Sequence, residues 1–483
     1  MGRVQNALTD LIKIKIISKV VKNWVMKFRK VLATLLIFIG LFPFAPSSFG
    51  FALLGPFAPW MEETNGLRQP GDIGGPMDIG SGYRWNVPVV TYGFDQSFLD
   101  YFGTNGVAAV EGAIQILNDL SSASDIVLTN YPFDSQHIND VAKTQGLYDL
   151  KSETLSLLLE QMGLAQPTRY IYVIQRWDPS LLNYSDLLWP WYIEETNDVV
   201  FYFIARLNFD PLTLVPTAYV NGTLYSAFVE TNPSLGVNFT VPYAVNPFAS
   251  TYTAVADLLL NPGELYTGLT EDDVGGLRYL LSADNVNYER LLPDVRTFGP
   301  HRGGVGNGAW RPGVEKITFV PHPFNPRHGQ FLPMVNRFTD TYIVNGKTQS
   351  QLAIRVINQP DFLFCAADTG ANNPFTPWVV RTGTTNWLNN AALNGNTNGE
   401  GPGVIQPPIK ITFQKLGPIV ITADTAYPYV QPNTYDQSWG SFDDSTNLPI
   451  VYPPNTQPNN RQMTIRLRFW VPSSTYTIGY GYN

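Results

Sequence analysis

His301, His322 and His328 place three imidazoles in one short stretch of chain, enough in number to hold a metal ion. Their setting is unlike a built site. They lie in Gly299-Pro-His-Arg-Gly-Gly304 and Pro321-His-Pro-Phe-Asn-Pro-Arg-His328, and no pair has the one-turn spacing that puts two ligands on one helix face. These three stand as the metal candidates, with plain loop residues as the alternative. Asp134, His137 and Asp140 form a looser group that reads as a solvated loop. Trp177, Trp189, Trp191 and Tyr192 fall in a loop-like stretch. Exposed, their rings would stack on sugars or on a partner's apolar side chains; buried, they would cover the core.

Acid/base hydrolysis needs two carboxyls facing each other across a cleft, which spacing alone cannot identify. Glu194 with Glu195 and Asp272 with Asp273 are adjacent and so point apart. Neither a G-x-S-x-G nucleophile elbow nor a Gly-rich phosphate loop occurs. Cys365, the one cysteine, reads as a small buried hydrophobe and leaves the chain without an internal disulfide. Asn183, Asn221 and Asn238 each open an Asn-x-Ser/Thr acceptor pattern.

The elements that would position these residues change in texture along the chain. Val87–Phe94 reads as a strand, and Gly106–Leu117 as a helix with Val107, Val110, Ile114 and Leu117 on one face. Ile126–Leu128 reads as a short strand, Lys151–Met162 as a helix stopped by Gly163, and Tyr170–Trp177 and Val199–Leu207 as strands. Thr270-Glu-Asp-Asp273 reads as a capping box for a helix ending at Leu281. Beyond Pro293 only short alternating runs remain, including Lys316–Val320, Thr341–Val344, Leu352–Ile357 and Ile409–Phe413. Turn-rich segments separate them, as in an antiparallel sandwich.

Two segments carry a family resemblance. Tyr83-Arg-Trp-Asn-Val-Pro-Val-Val-Thr-Tyr-Gly-Phe94, followed by the helix Ala109-Val-Glu-Gly-Ala-Ile-Gln-Ile-Leu-Asn118, resembles the opening strand and first helix of matrixin-like metzincin zinc proteases. Leu269-Thr-Glu-Asp-Asp-Val-Gly-Gly-Leu-Arg-Tyr-Leu-Leu281 is similar to the last helix of that domain. The resemblance implies zinc held by H-E-x-x-H and a third His, because a catalytic zinc takes three protein ligands and an open water position. This chain has no His-Glu pair, and His137 is its sole histidine between residues 80 and 300. In the nearest helix, Ser156, Leu157 and Glu160 stand where His, Glu and His are required. Composition therefore excludes three-His zinc hydrolysis by this domain.

The chain's N-terminal side reads as an export leader. Met26-Lys-Phe-Arg-Lys30 is a basic n-region and Val31–Ala45 an apolar stretch, with cleavage expected after Gly50 or Ala52 and Met26 as the working start. Residues 1–52 hold eight of the 31 Lys/Arg and one of the 39 acids, leaving 23 − 38 = −15 on the remainder. So acidic a surface disfavours nucleic acid as a partner. The expected organisation is a leader (1–52), a linker (53–80), an α+β metzincin-like domain (81–292) and an all-β antiparallel, sandwich-like domain (293–483). No cofactor is expected. The functional expectation is a secreted or cell-envelope protein whose protease-like domain serves binding or structure. Its partner would be an extracellular protein or glycan, and any membrane attachment would run through an uncleaved leader. The alternative is a divergent extracellular hydrolase, metal- or carboxylate-dependent, acting on peptide or glycan.

Overall fold

The computed structural model describes residues 49–69, 71–178, 190–195, 198–232, 237–257, 260–298, 308–369, 380–389, 402–416, 418–423, 433–452 and 463–467. Strand β1 (Phe51–Gly55) is apolar throughout and buried at every position. It pairs antiparallel with Gly75–Met77, with Leu164–Ala165 and with Asn208–Phe209. The segment read as a linker is therefore core, with Met61, Leu67 and Met77 buried alongside β1. A cut after Ala52 would remove Phe51 and Ala52, 2% and 1% exposed, from the middle of this layer. A cut after Gly50 would place a free ammonium at the buried head of β1, where charge is costly.

Strand β2 (Val89–Phe94) leads through an Asp95 cap, whose carboxylate accepts from the Phe98 amide at 2.9 Å, into helix α1 (Gln96–Asn118). The helix breaks at Gly103 (φ 62°) and resumes with Val110, Ile114 and Leu117 buried; Val107 is partly buried. The strand expected over Ile126–Leu128 is instead a junction between 3-10 turns at Ala123–Asp125 and Leu128–Asn130. Helix α2 (Leu150–Gln161) buries ten of its twelve residues, as a helix surrounded on all sides does. It stops at Gly163 (φ +104°), where a Cβ would lie 2.1 Å from the Tyr83 carbonyl oxygen.

Strands β3 (Val173–Asp178), β4 (Pro190–Glu195) and β5 (Asp198–Ala205) form an antiparallel sheet with β5 in the centre. Strands β6 (Thr223–Asn232) and β7 (Val237–Ala244) form a long hairpin. Helix α3 (Glu271–Leu281) follows, entered through the expected capping box at Thr270 and Asp273.

Strands β8 (Asn287–Glu289), β9 (Val295–Phe298), β10 (Ala309–Arg311), β11 (Thr318–Pro321), β12 (Met334–Val344), β13 (Lys347–Ile357), β14 (Phe362–Ala367), β15 (Arg381–Gly383) and β16 (Ile409–Gln414) build two sheets. One is antiparallel in the order β8-β10-β12-β13-β9. The other runs β11-β2-β14-β16-β15, with its first four strands parallel and β15 antiparallel.

That second sheet corrects the expected boundary at 292/293. Strand β2, from before the boundary, lies between β11 and β14, from beyond it: Val90 pairs with Phe319, and Phe364 with Phe94. Residues 48–483 accordingly form one compact unit. The later strands are shared with the earlier half rather than closed into an antiparallel sandwich of their own. Alternation along a strand reports burial, not the identity of its neighbour, and so gave no sign of this pairing. One face of the parallel sheet is sealed, with Phe362, Phe364, Ile411 and Phe413 all fully buried. Phe98 and Phe102 of α1 pack on it, 6.1 and 5.8 Å from the Phe413 ring. The result is a strand-rich α+β architecture. No helix among the described residues is long and apolar enough to cross a membrane.

Candidate functional site

Helix α2 is where the resemblance would put metal ligands, and the fold uses it as a central strut. Its cap, Asp149, accepts from the Ser152 amide (2.9 Å) and hydroxyl (2.5 Å), and the Ser152 oxygen accepts from the Tyr266 amide at 2.7 Å. Glu153 pairs with Arg381 of β15. Gln161 takes the Trp85 indole N–H on its carbonyl at 2.9 Å and the Thr385 hydroxyl on its side chain. Ser156 and Leu157 are 0% and 2% exposed. No substrate atom reaches these positions from solvent in this packing.

The acidic start of α3 is equally committed. Asp273 accepts from Thr270, Val255 and Ala256, closing the capping box and tying down a neighbouring turn. Asp272 accepts from the Gly50 amide (2.8 Å) and the Asn221 amide (2.6 Å). Asp257 accepts from both the amide and the hydroxyl of Thr168 and from the Ala254 amide. Burial raises all three carboxyls, Asp257 to about 7 and Asp272 well above the ordinary range, against the pull of these amides. Each carboxylate is spent on backbone amides and, for Asp257 and Asp273, a threonine hydroxyl, so these acids fasten loops.

Glu160 is the strongest acid/base candidate: burial pushes it up to about 8, helped by the nearby Asp72 charge. Asp72, however, is held in a bidentate pair by Arg169 at 2.7 and 2.8 Å. A small cavity lies elsewhere, between α1, α3 and β11. Leu117, Ile126, Met162, Leu277 and Phe319 line it, and it has room for about one water, ≈ 20 Å³.

The histidines do not assemble. His301 lies outside the described residues. His322 follows β11, 5% exposed, its ring 5.6 Å from that of Phe331. Burial holds it below the usual imidazole range, with the Leu332 backbone and the Asp361 charge pulling upward. His328 is exposed in the turn after Asn325. His137 sits in a short strand, 2.8 Å from Asp444 and half exposed. Among the described residues no group of three or more His, Cys, Asp or Glu could hold a metal ion. Cys365 is buried in β14, its thiol pushed up to about 12 by burial. Of the three acceptor asparagines, Asn221 and Asn238 are buried, so the folded chain hides them from modification; Asn183 lies outside the described residues.

Two of the four aromatic candidates share a register position: Trp177 of β3 and Trp191 of β4 both pair with Tyr202 of the central strand β5. Trp177 is 39% exposed, while Tyr202 is buried. Tyr192 stands one register position along, opposite Phe201, and Trp189 lies outside the described residues.

Sequence reading missed a second exposed surface, the outer face of the β8-β10-β12-β13-β9 sheet. There Phe298, Trp310, Val335, Leu352 and Val356 are 38–57% exposed. The alternation in Met334–Val344 and Lys347–Ile357 carried the signal, but only the pairing shows which alternate residues face out. Searches among family models, curated proteins and solved structures give no match, so the residues themselves carry the functional reading.

Proposed function

We propose that this is an exported, non-catalytic protein whose protease-like half serves as a scaffold, presenting its surfaces to an extracellular partner. The resemblance to a metzincin domain extends to its opening strand, first helix and last helix and stops at the metal site. The observation that carries the reading is the state of α2. Where hydrolysis needs an open, ligand-bearing helix, Ser156 and Leu157 are sealed in the core, and Asp149, Glu153 and Gln161 are engaged by neighbouring elements. A carboxylate hydrolase would also need a second acid free to act with Glu160, and Asp72 is clamped by Arg169.

The test is metal analysis of the purified protein together with a panel of peptide and glycan substrates. The expected outcome is neither stoichiometric metal nor turnover. One equivalent of zinc, or hydrolysis that disappears in Glu160→Gln, would overturn the reading.

A further inference from the structure

The outer face of the β8-β10-β12-β13-β9 sheet is a cationic, aromatic and hydroxyl-bearing surface in an acidic protein. In register, Tyr288, Trp310 and Ile343 form one row, and Thr341 faces Ser350. Next come Thr339, Leu352 and Phe298, then Arg337, Ile354 and Arg296. Arg296 and Arg337 are exposed and, two strands apart, lie about 10 Å from each other. Trp310 is 49% exposed and meets the Tyr288 ring edge-on at 5.7 Å. The aromatic row and the arginine row meet β12 six positions apart, at Ile343 and Arg337, a run of about 20 Å.

The signs of the charges decide the occupant. These strands contain two acids, Glu289 and Asp340, and both face inward, 0% and 4% exposed. A chain whose net charge is −8 thus offers here a face with arginines and without carboxylates. An anionic partner is attracted to this face and repelled by the rest of the surface. Flat aromatic rings beside rows of hydroxyls suit sugar rings better than an acidic peptide, which would need an unpaired strand edge or a groove.

We infer that this face binds an anionic polysaccharide, a uronate- or sulfate-bearing glycan. Arg296 and Arg337 take its acidic groups and Trp310 stacks on a ring. The inference rests on the non-catalytic binding role proposed above and gives it a surface and a substrate class.

Affinity electrophoresis of the full chain through gels containing polygalacturonate, chondroitin sulfate, neutral dextran or poly-L-glutamate tests it. Retardation by at least one of the two acidic polysaccharides, but not by dextran, is expected. The double variant R296A/R337A should weaken it about tenfold or more, as loss of two charge-assisted contacts implies. W310A should weaken it about fivefold. Both changes are at exposed positions, and circular dichroism with thermal melting verifies that each variant is folded. The assignment is overturned by failure of both acidic polysaccharides to retard the protein, or by retardation that survives R296A/R337A. Equal retardation by poly-L-glutamate that is indifferent to W310A also overturns it, in favour of an acidic protein partner. Release of reducing ends from either polysaccharide would sink the non-catalytic reading separately, since retardation of the two variants still decides the surface.

Discussion

The two faces of the β8-β10-β12-β13-β9 sheet use the same residue type for opposite ends. On the inner face Arg311 forks onto Asp340 at 2.8 and 3.1 Å, with Gln351 donating to the same carboxylate at 2.7 Å. Arg355 bridges Asp294 and Asp361, and Asp361 in turn accepts from the amide and hydroxyl of Thr91 in the parallel sheet. Arg84 reaches in from the strand before β2 to Glu289 and to the Leu280, Asn285 and Arg311 carbonyls. These guanidiniums are buried and saturated, so they weld the antiparallel sheet to the parallel one. On the outer face Arg296 and Arg337 stand in solvent, and the acids of these strands, Glu289 and Asp340, are buried on the opposite face. A guanidinium becomes a structural bolt or a recognition group according to what faces it.

The sharpest way to break that comparison is to truncate one arginine from each face. Arg355→Ala leaves Asp361 with uncompensated buried charge and the partly exposed Asp294 without its partner, and should cost about 3–5 kcal/mol. Arg337→Ala should change stability by less than about 0.5 kcal/mol. Urea midpoints read both, and equal losses would show that the outer arginine is also structural. Of intermediate size, Asp273→Ala removes the α3 cap and strands the Val255 and Ala256 amides, a loss of roughly 3 kcal/mol measured in the same way.

A pH series sharpens the contrast between satisfied arginines and strained acids. Burial raises Asp149 to about 6, Asp257 to about 7 and Glu160 to about 8. Unfolded carboxyls titrate near 4, so the folded state binds the extra protons. Their contribution to stability is complete below pH ~4 and is lost as pH rises toward about 8. The expected outcome is a urea midpoint that falls from pH 6.5 to pH 8.5, with Asp257→Asn flattening the slope. His322, held below its ordinary range, works in the opposite direction and removes stability as pH drops below ~6.5. The smallest effect belongs to Trp310→Ala, which should leave the melting temperature within about 2 °C because the indole is half exposed. A larger fall would mean that the ring belongs to the core.

Local features were legible before the fold was. The Thr270–Asp273 capping box, the stop at Gly163, the buried stripe of α1 and the buried Cys365 all depend on residues within a few positions of one another, and all are present. The acid pair at the head of α3 was legible as a cap for Asp273, but not as a clamp on Gly50 and Asn221 for Asp272, because those partners are 222 and 51 residues away. The leader and linker readings ended inside β1 for a related reason. A short apolar run followed by small residues has the same composition whether a peptidase or a hydrophobic core receives it.

Composition alone determined that residues 81–292 lack the histidines for a three-His zinc site, that no internal disulfide exists, and that the chain is acidic overall. These are matters of which atoms are present. Tertiary structure decided that β2 sits between β11 and β14, that α2 is sealed, and that of the arginines at 296, 311, 337 and 355 two face the core and two face solvent. Strand pairing is chosen by burial and hydrogen bonding over hundreds of residues, and a one-residue change of register would exchange the two faces.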